Sequence, residues 1–430
     1  MPRPISIEEV DAGVLGNVIR KRQRQRPRGR LFIGSLAILL LALMVGVMQR
    51  EPGRGEFTSL EGLPVQSFDL VRDSGGIRAL VLGTFAGAAH NRLAFLTSKD
   101  LGTRFDAPRF IDTGSEEVIS NRRNSIRLLV DEKKIIAVYA VRGAFPGSGP
   151  LRVAVSKDGG QTFRSGIVPV KEDPTENQSY PAIVRDDTGV IHLFWLDDRE
   201  EAGSTVGLRT AKSLDDGLSW QDEETLDERT CTCCDLAVTG VMGKGPGILY
   251  RDDDPRDMQF RWIDDRGASL ASQVSVGAFN WQFEGCPHTG GAVRFWSHLW
   301  EKQLAAVVWT GKQGQQGLHF FRSEDLGAHW LGDTLLDREG TEPDLDVSGS
   351  DLRVVAYRVG SGMDARIAVI ESLDGGQTWR SSRLLGEAGH KAERPRVMAD
   401  AEGFRVFWSE VSAASGKQFK SYHQSWSASP

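Results

Sequence analysis

Cysteine, tyrosine and methionine are scarce in this chain, at four, five and seven of 430 residues. A disulfide framework spread over the whole chain is excluded, because all four cysteines fall between Cys231 and Cys286. Long amphipathic helical patterns are missing beyond the N-terminus, which excludes a helical bundle. What remains is short Val/Ile/Leu/aromatic runs punctuated by Gly, Asp and Pro, such as IRLLV, IIAVYAV and AIVRDDTGVIHLFW. No basic stripe accompanies the modest net charge of −6, so nucleic acid is not an expected partner.

Glycine, by contrast, is abundant at 48 residues, and much of it belongs to a repeated turn, S-x-D-x-G-x-[ST]-[FW]. Clear copies start at Ser98, Ser156, Ser213, Ser323 and Ser372, and Ile263 to Leu270 keeps only Asp265, Gly267 and Ser269. In such a turn the Asp carboxylate accepts backbone N–H groups, the Gly supplies a positive φ, and the closing aromatic packs back between strands. The period of about fifty to sixty residues indicates a solenoid, propeller or array of small sheets.

The turns resemble the Asp boxes (BNR repeats) of the sialidase superfamily. That resemblance covers most of the chain after about residue 60 and implies a β-propeller in which each box joins a blade's third and fourth strands. Strand triplets at roughly 65–97, 123–155, 180–212, 235–262, 288–322, 343–371 and 395–425 favour seven blades, although the sialidases themselves are six-bladed. The expected fold is thus all-β, a six- or seven-bladed propeller with seven preferred. The segment around Phe57 to Leu63 is expected to close the ring against the last triplet.

The N-terminus has its own organisation. Leu31 to Met48 is an uncharged apolar run of eighteen residues, long enough to cross a hydrocarbon core. Seven basic residues between Arg20 and Arg30 precede it, which keeps residues 1–30 in the cytoplasm. No A-x-A cleavage site follows, so an uncleaved single-pass inner-membrane anchor is expected. A linker at 49–60 then leads to a propeller at 61–430 in the periplasm or outside the cell.

Cys231, Cys233 and Cys234 form a C-x-C-C cluster, and Cys286 sits in GCPHTG beside His288. Aligning the blades on their second-strand aromatics (Tyr139, Trp195, Tyr250, Tyr357, Trp408) puts Tyr180, Cys233, Cys286, Glu342 and Arg394 at corresponding first-strand starts. Equivalent positions of neighbouring blades converge around the axis, so the cysteines are expected to meet. Three chemistries fit: disulfides between blades, a copper(I) or zinc site of Cys231, Cys233, Cys234, Cys286 and His288, or a redox-active pair.

The sialidase resemblance also implies an arginine cluster, a carboxyl acid/base and a tyrosine nucleophile. Arg394, Glu342 and Tyr180 are the candidates on the same face, with Arg123, Arg251 and Asp252 nearby in register. The family's R-I-P signature is absent, and none of the five tyrosines has a nucleophile's context. Trp281 and Trp300, flanking the cysteines, are candidate sugar platforms, whereas His192 and His319 read as packed residues. Two functions follow as expectations: binding or assembly of a protein, glycan or metal near the membrane, or sialidase-type glycoside hydrolysis.

Overall fold

The computed structural model describes residues 60–426, apart from 145–148, 172, 200–205, 242, 244, 264–272, 299–300 and 350. The expected membrane span and most of the degenerate sixth turn lie outside the described residues. Among the described residues no helix is long and apolar enough to cross a membrane.

Period-two alternation and tight glycine turns give antiparallel meanders, and seven of these stand around one axis as a seven-bladed propeller. Blade one holds β1 (Val65–Asp73), β2 (Gly76–Gly83), β3 (Arg92–Ser98) and β4 (Arg109–Phe110). Blade two holds β5 (Val118–Ile119), β6 (Arg127–Asp131), β7 (Lys134–Val141), β8 (Leu151–Ser156) and β9 (Arg164–Ile167). Blade three holds β10 (Ser179–Arg185), β11 (Ile191–Asp197), β12 (Val206–Ser213) and β13 (Gln221–Thr230). Blade four holds β14 (Ala237–Val241), β15 (Gly245–Arg251), β16 (Met258–Trp262) and β17 (Val274–Val276). Blade five holds β18 (Ala292–His298), β19 (Glu301–Thr310), β20 (Gly317–Ser323) and β21 (Leu331–Asp337). Blade six holds β22 (Thr341–Ser348), β23 (Leu352–Val359), β24 (Arg366–Ser372) and β25 (Arg380–Leu385). Blade seven has β26 (Lys391–Ala399), β27 (Gly403–Ser412) and β28 (Gly416–Ser425).

The fourth strand of blade seven comes from the start of the propeller. Gly62 N–H donates to the Phe419 carbonyl and Phe419 N–H to the Leu63 carbonyl, each at 2.9 Å, and Pro64 bridges Gln418. Phe419 packs edge-on against Phe68 of blade one at 5.0 Å and against Phe407 of its own blade at 5.8 Å. The ring is therefore closed by both ends of the domain, as the sequence suggested.

Each of the five clear turns ends a third strand and leads to a fourth. In the turn of blade three, Ser213 Oγ donates to Asp215 at 3.0 Å and accepts Gly217 N–H at 2.8 Å, and Asp215 accepts Ser219 N–H at 2.8 Å. The turns at Ser98, Ser156, Ser323 and Ser372 repeat this set. Beyond its own hydrogen bonds, the turn seats its blade on the previous one. Phe163, Trp330 and Trp379 close the turns of blades two, five and six. They stand edge-on to Phe95, Phe260 and Phe320 of the preceding blades, with centroids 5.9, 5.5 and 5.1 Å apart.

The turn glycine is forced by this seating as well as by its backbone. Gly160 has φ +81, and a Cβ there would lie 2.4 Å from the Phe95 ring. Its neighbour Gly159 has φ +75 with nothing within 4 Å. Gly159→Ala should therefore cost about 1 kcal/mol from the left-handed backbone alone. Gly160→Ala adds a clash across the blade interface and should cost about 2 kcal/mol more. Chemical denaturation of both variants checks this, and equal losses would contradict the seating role.

Candidate functional site

The inner strands enclose an axial channel of about 810 Å³, with residues from all seven blades on its wall. Basic side chains outnumber acidic ones along it by eight to six, in a chain whose net charge is −6. Charge is thus sorted, with positive excess gathered on the axis.

Backbone register fixes which residues meet at the channel mouth. Ala182, Ala237, Asp344 and Arg396 pair with Phe194, Leu249, Ala356 and Phe407, each just before its second-strand aromatic. Two residues earlier stand Tyr180, Asp235, Glu342 and Arg394. The expectation for Tyr180, Glu342 and Arg394 is met. Cys233 is displaced, because Asp235 holds the equivalent place in blade four. In blade five the place of Cys286 is taken by Thr289, whose Oγ1 accepts Glu342 N–H at 3.2 Å. Tyr180, Glu342 and Arg394 have φ of 52, 51 and 57, left-handed values that side chains adopt only where the surroundings impose them. Cys286-Pro287 mimics their dipeptide, but in that loop His288 carries the left-handed backbone, with φ 54.

A segment that the sequence reading passed over crosses this mouth. β5 and β6 both pair with β7, so the inner strand of blade two is interrupted, and residues 120–126 loop out between them. Arg122 of this loop donates to the His288 carbonyl and lies 3.3 Å from Glu342. The Arg123 carbonyl accepts Tyr180 N–H at 2.6 Å. Arg394 reaches back to Ser125 Oγ and the Asn121 carbonyl, both at 2.5 Å. Four blades are tied to one loop of a fifth. The polar string SNRRNS, where a strand should run, was the available signal.

Two mouth residues have their chemistry set by their surroundings. Burial pushes the Glu342 carboxyl up, but Arg122 and Arg358, the latter at 2.9 Å, together hold it below its ordinary range. Tyr180 is 1% exposed, and burial together with Asp235 pushes its hydroxyl well above the ordinary tyrosine range. Deeper in the channel, Arg127 is pulled down by burial and then by the nearby guanidiniums of Arg396 and Arg394. Asp235 at 3.6 Å from Arg127, and Asp69 at 3.6 Å from Arg396, offset this only in part.

Of the proposed ligating residues, the structure brings together Cys231, Cys233 and Cys234, in the segment that joins β13 to β14. Their sulfurs lie within 4.8 Å of one another, and all three residues are buried. All four cysteines are free thiols. Cys286 is exposed and approaches the group only through Thr232, at 3.7 Å. His288 meets the backbone of Cys233 and is lowered by burial and Arg122, so neither it nor Cys286 belongs to the compact thiol group. Cys231 is pulled down by hydrogen bonds from its two companions. Those bonds and burial raise Cys233, and burial raises Cys234.

The remaining candidates are structural in character. Trp281, read as a sugar platform, is a core residue, 6% exposed and stacked on Phe283 at 5.0 Å. Trp300 lies outside the described residues. Arg251 is buried, donating to the Thr289 and Trp309 carbonyls. In the acidic string after β15, Asp253 pairs with Arg229 and Arg256. His192 Nε2 pairs with Asp186 and His319 Nδ1 with Asp333.

No family model matches the chain, and no curated protein matches it. Among solved structures, a PL25 ulvan lyase has 14% identity and a TM-score of 0.49, covering 85% of this chain and 93% of its own. An α-L-arabinanase from Penicillium chrysogenum, complexed with arabinobiose, has 14% identity and a TM-score of 0.49, covering 75% and 98%. The phage phi92 endosialidase has 10% identity and a TM-score of 0.46, covering 87% and 70%. Likeness at this level carries no inference about activity.

One charge cluster at the channel wall gives a pH prediction. Burial raises Glu393, but Lys417 and Lys391, each at 2.6 Å, bring it down from 4.5 to about 2. A carboxylate with a depressed pKa contributes stability above its unfolded value and loses it as pH falls through the folded one. The chain should therefore lose about 2–3 kcal/mol from this group between pH 4.5 and about 2. In Glu393→Gln that component of the slope should vanish from urea titrations run across the window.

Proposed function

We propose that this chain is a binding protein whose axial channel holds an anionic ligand, a carboxylate- or sulfate-bearing sugar segment. The observation that carries the reading is the cluster of Arg127, Arg394 and Arg396 on the wall of the channel, in which the other two guanidiniums bear on the buried Arg127. An anion that joins these guanidiniums relieves the repulsion, and planar guanidinium forks suit carboxylate and sulfate groups. The channel volume of about 810 Å³ suits a short oligosaccharide. An anchor over Leu31 to Met48 would hold this channel on the outer side of the inner membrane, where such polymers are met.

Binding is favoured over sialidase-type hydrolysis by the state of the mouth residues. Glu342 is ion-paired and kept ionised, which suits orientation of arginines rather than proton donation. The Tyr180 hydroxyl is held protonated by burial, the opposite of an activated nucleophile.

Calorimetric titration of the full chain with uronic-acid, sulfated and neutral oligosaccharides of matched length tests the reading. Acidic members should bind and weaken as salt rises, and Arg127→Ala or Arg396→Ala should lower affinity about 10- to 100-fold. Equal binding of neutral sugars, or unchanged affinity in both variants, would overturn it.

A further inference from the structure

We infer that Cys231, Cys233 and Cys234 form a copper(I)-binding centre, separate from the anion channel and independent of whether that channel binds sugar. Cys231 Sγ lies 3.6 Å from Cys233 Sγ and 3.3 Å from Cys234 Sγ. These separations are far beyond a disulfide bond of about 2.05 Å. Around one ion with sulfurs at about 2.3 Å, a planar trio of thiolates would have its sulfurs about 4 Å apart. The two edges at Cys231 need to open by about 0.4 and 0.7 Å.

The surroundings are those of a charged centre. Although all three thiols are buried, they form a cluster of their own, apart from the blades' aliphatic cores. Arg256 Nη1 donates to Cys231 Sγ at 3.2 Å. Arg256 is itself placed by its Nε bond to the Phe283 carbonyl at 3.0 Å and its backbone bond to the Trp281 carbonyl at 2.8 Å. Arg251 stands on the other side, its carbonyl accepting Cys231 N–H at 3.1 Å and its guanidinium close enough to act on Cys231 and Cys234. Arg251 Nη1 in turn donates to the Arg256 carbonyl at 2.6 Å, so the two arginines brace each other.

Donor number selects the metal. Three thiolates around Cu⁺ are doubly negative, a charge offset by Arg251 and by Arg256, which also pairs with Asp253 at 3.0 Å. A closed four-coordinate zinc site needs a fourth protein ligand, whereas Cys286, the remaining thiol, is exposed and directed to Thr232. Soft thiolates in a three-donor set suit copper(I). Binding deprotonates the thiols and releases their protons to solvent, so affinity should fall as pH is lowered.

The test is titration of the reduced, detergent-solubilised full chain with copper(I) against a chromogenic copper(I) chelator. One equivalent should be retained, Cys286→Ser should match the parent chain, and Cys231→Ser should retain less than about one tenth of it. X-ray absorption on the unsubstituted protein guards against a misfolded variant and should report three sulfur neighbours. Surrender of all copper by the reduced parent chain would overturn the assignment. So would nitrogen or oxygen neighbours, full retention by Cys231→Ser, or zinc binding that depends on Cys286 and exceeds that of copper.

Discussion

The seating of each outer turn on the blade before it is the contact on which the rest of this molecule depends. A four-stranded sheet cannot bury two apolar faces alone, so each blade is stable only with a neighbour on either side. The repeated turn supplies that neighbour contact at the periphery, with a glycine pressed onto a ring such as Phe95 and an aromatic laid beside it. Blades one and seven obey the same rule, since a Cβ on Gly102 would meet the Phe407 ring at 3.0 Å. Closure at β28 by residues 60–64 completes the ring, leaving no end blade with an open face.

Because cohesion comes from between the blades, the inner strands are free to carry charge. Asp69 and Asp344 accept Leu128 and Val397 N–H groups from the next blade while bearing on Arg396 and Arg294 of the blade before. The acids stitch adjacent inner strands, and arginines remain on the wall in excess. A channel built this way is rigid at its circumference and electrostatically loaded at its centre, which is the arrangement an anion site requires. The loop at 120–126 adds a bar across one end that touches blades three, five, six and seven.

The fold was legible because its signal is local and repeated. Five copies of one hydrogen-bonded turn, such as Ser213 to Trp220, state the blade period directly, and ring closure followed from a last triplet lacking its turn. The site was legible where an inner strand begins with a residue before proline. Tyr180, Glu342 and Arg394 share a left-handed residue before proline and were placed correctly. Blade four keeps the fifteen-residue spacing of Tyr180 to Trp195, which counts back from Tyr250 to Asp235; Cys233 was taken two residues too early because Cys233-Cys234 was matched to the dipeptides that end in proline. The three thiols were recognised as a group, but Cys286 was joined to it by the blade alignment, whose place in blade five Thr289 takes, and His288 by lying beside Cys286. The loop at 120–126 broke the strand pattern, and its long-range partners at His288 and Glu342 have no trace in local sequence.

An experimental structure of the full chain with a uronic-acid oligosaccharide tests the central claim most directly. The ligand's carboxylate should lie inside the channel, within hydrogen-bond distance of at least two of Arg127, Arg394 and Arg396. A ligand seated on the outer strands with the channel empty, or one held only by neutral groups, would contradict it.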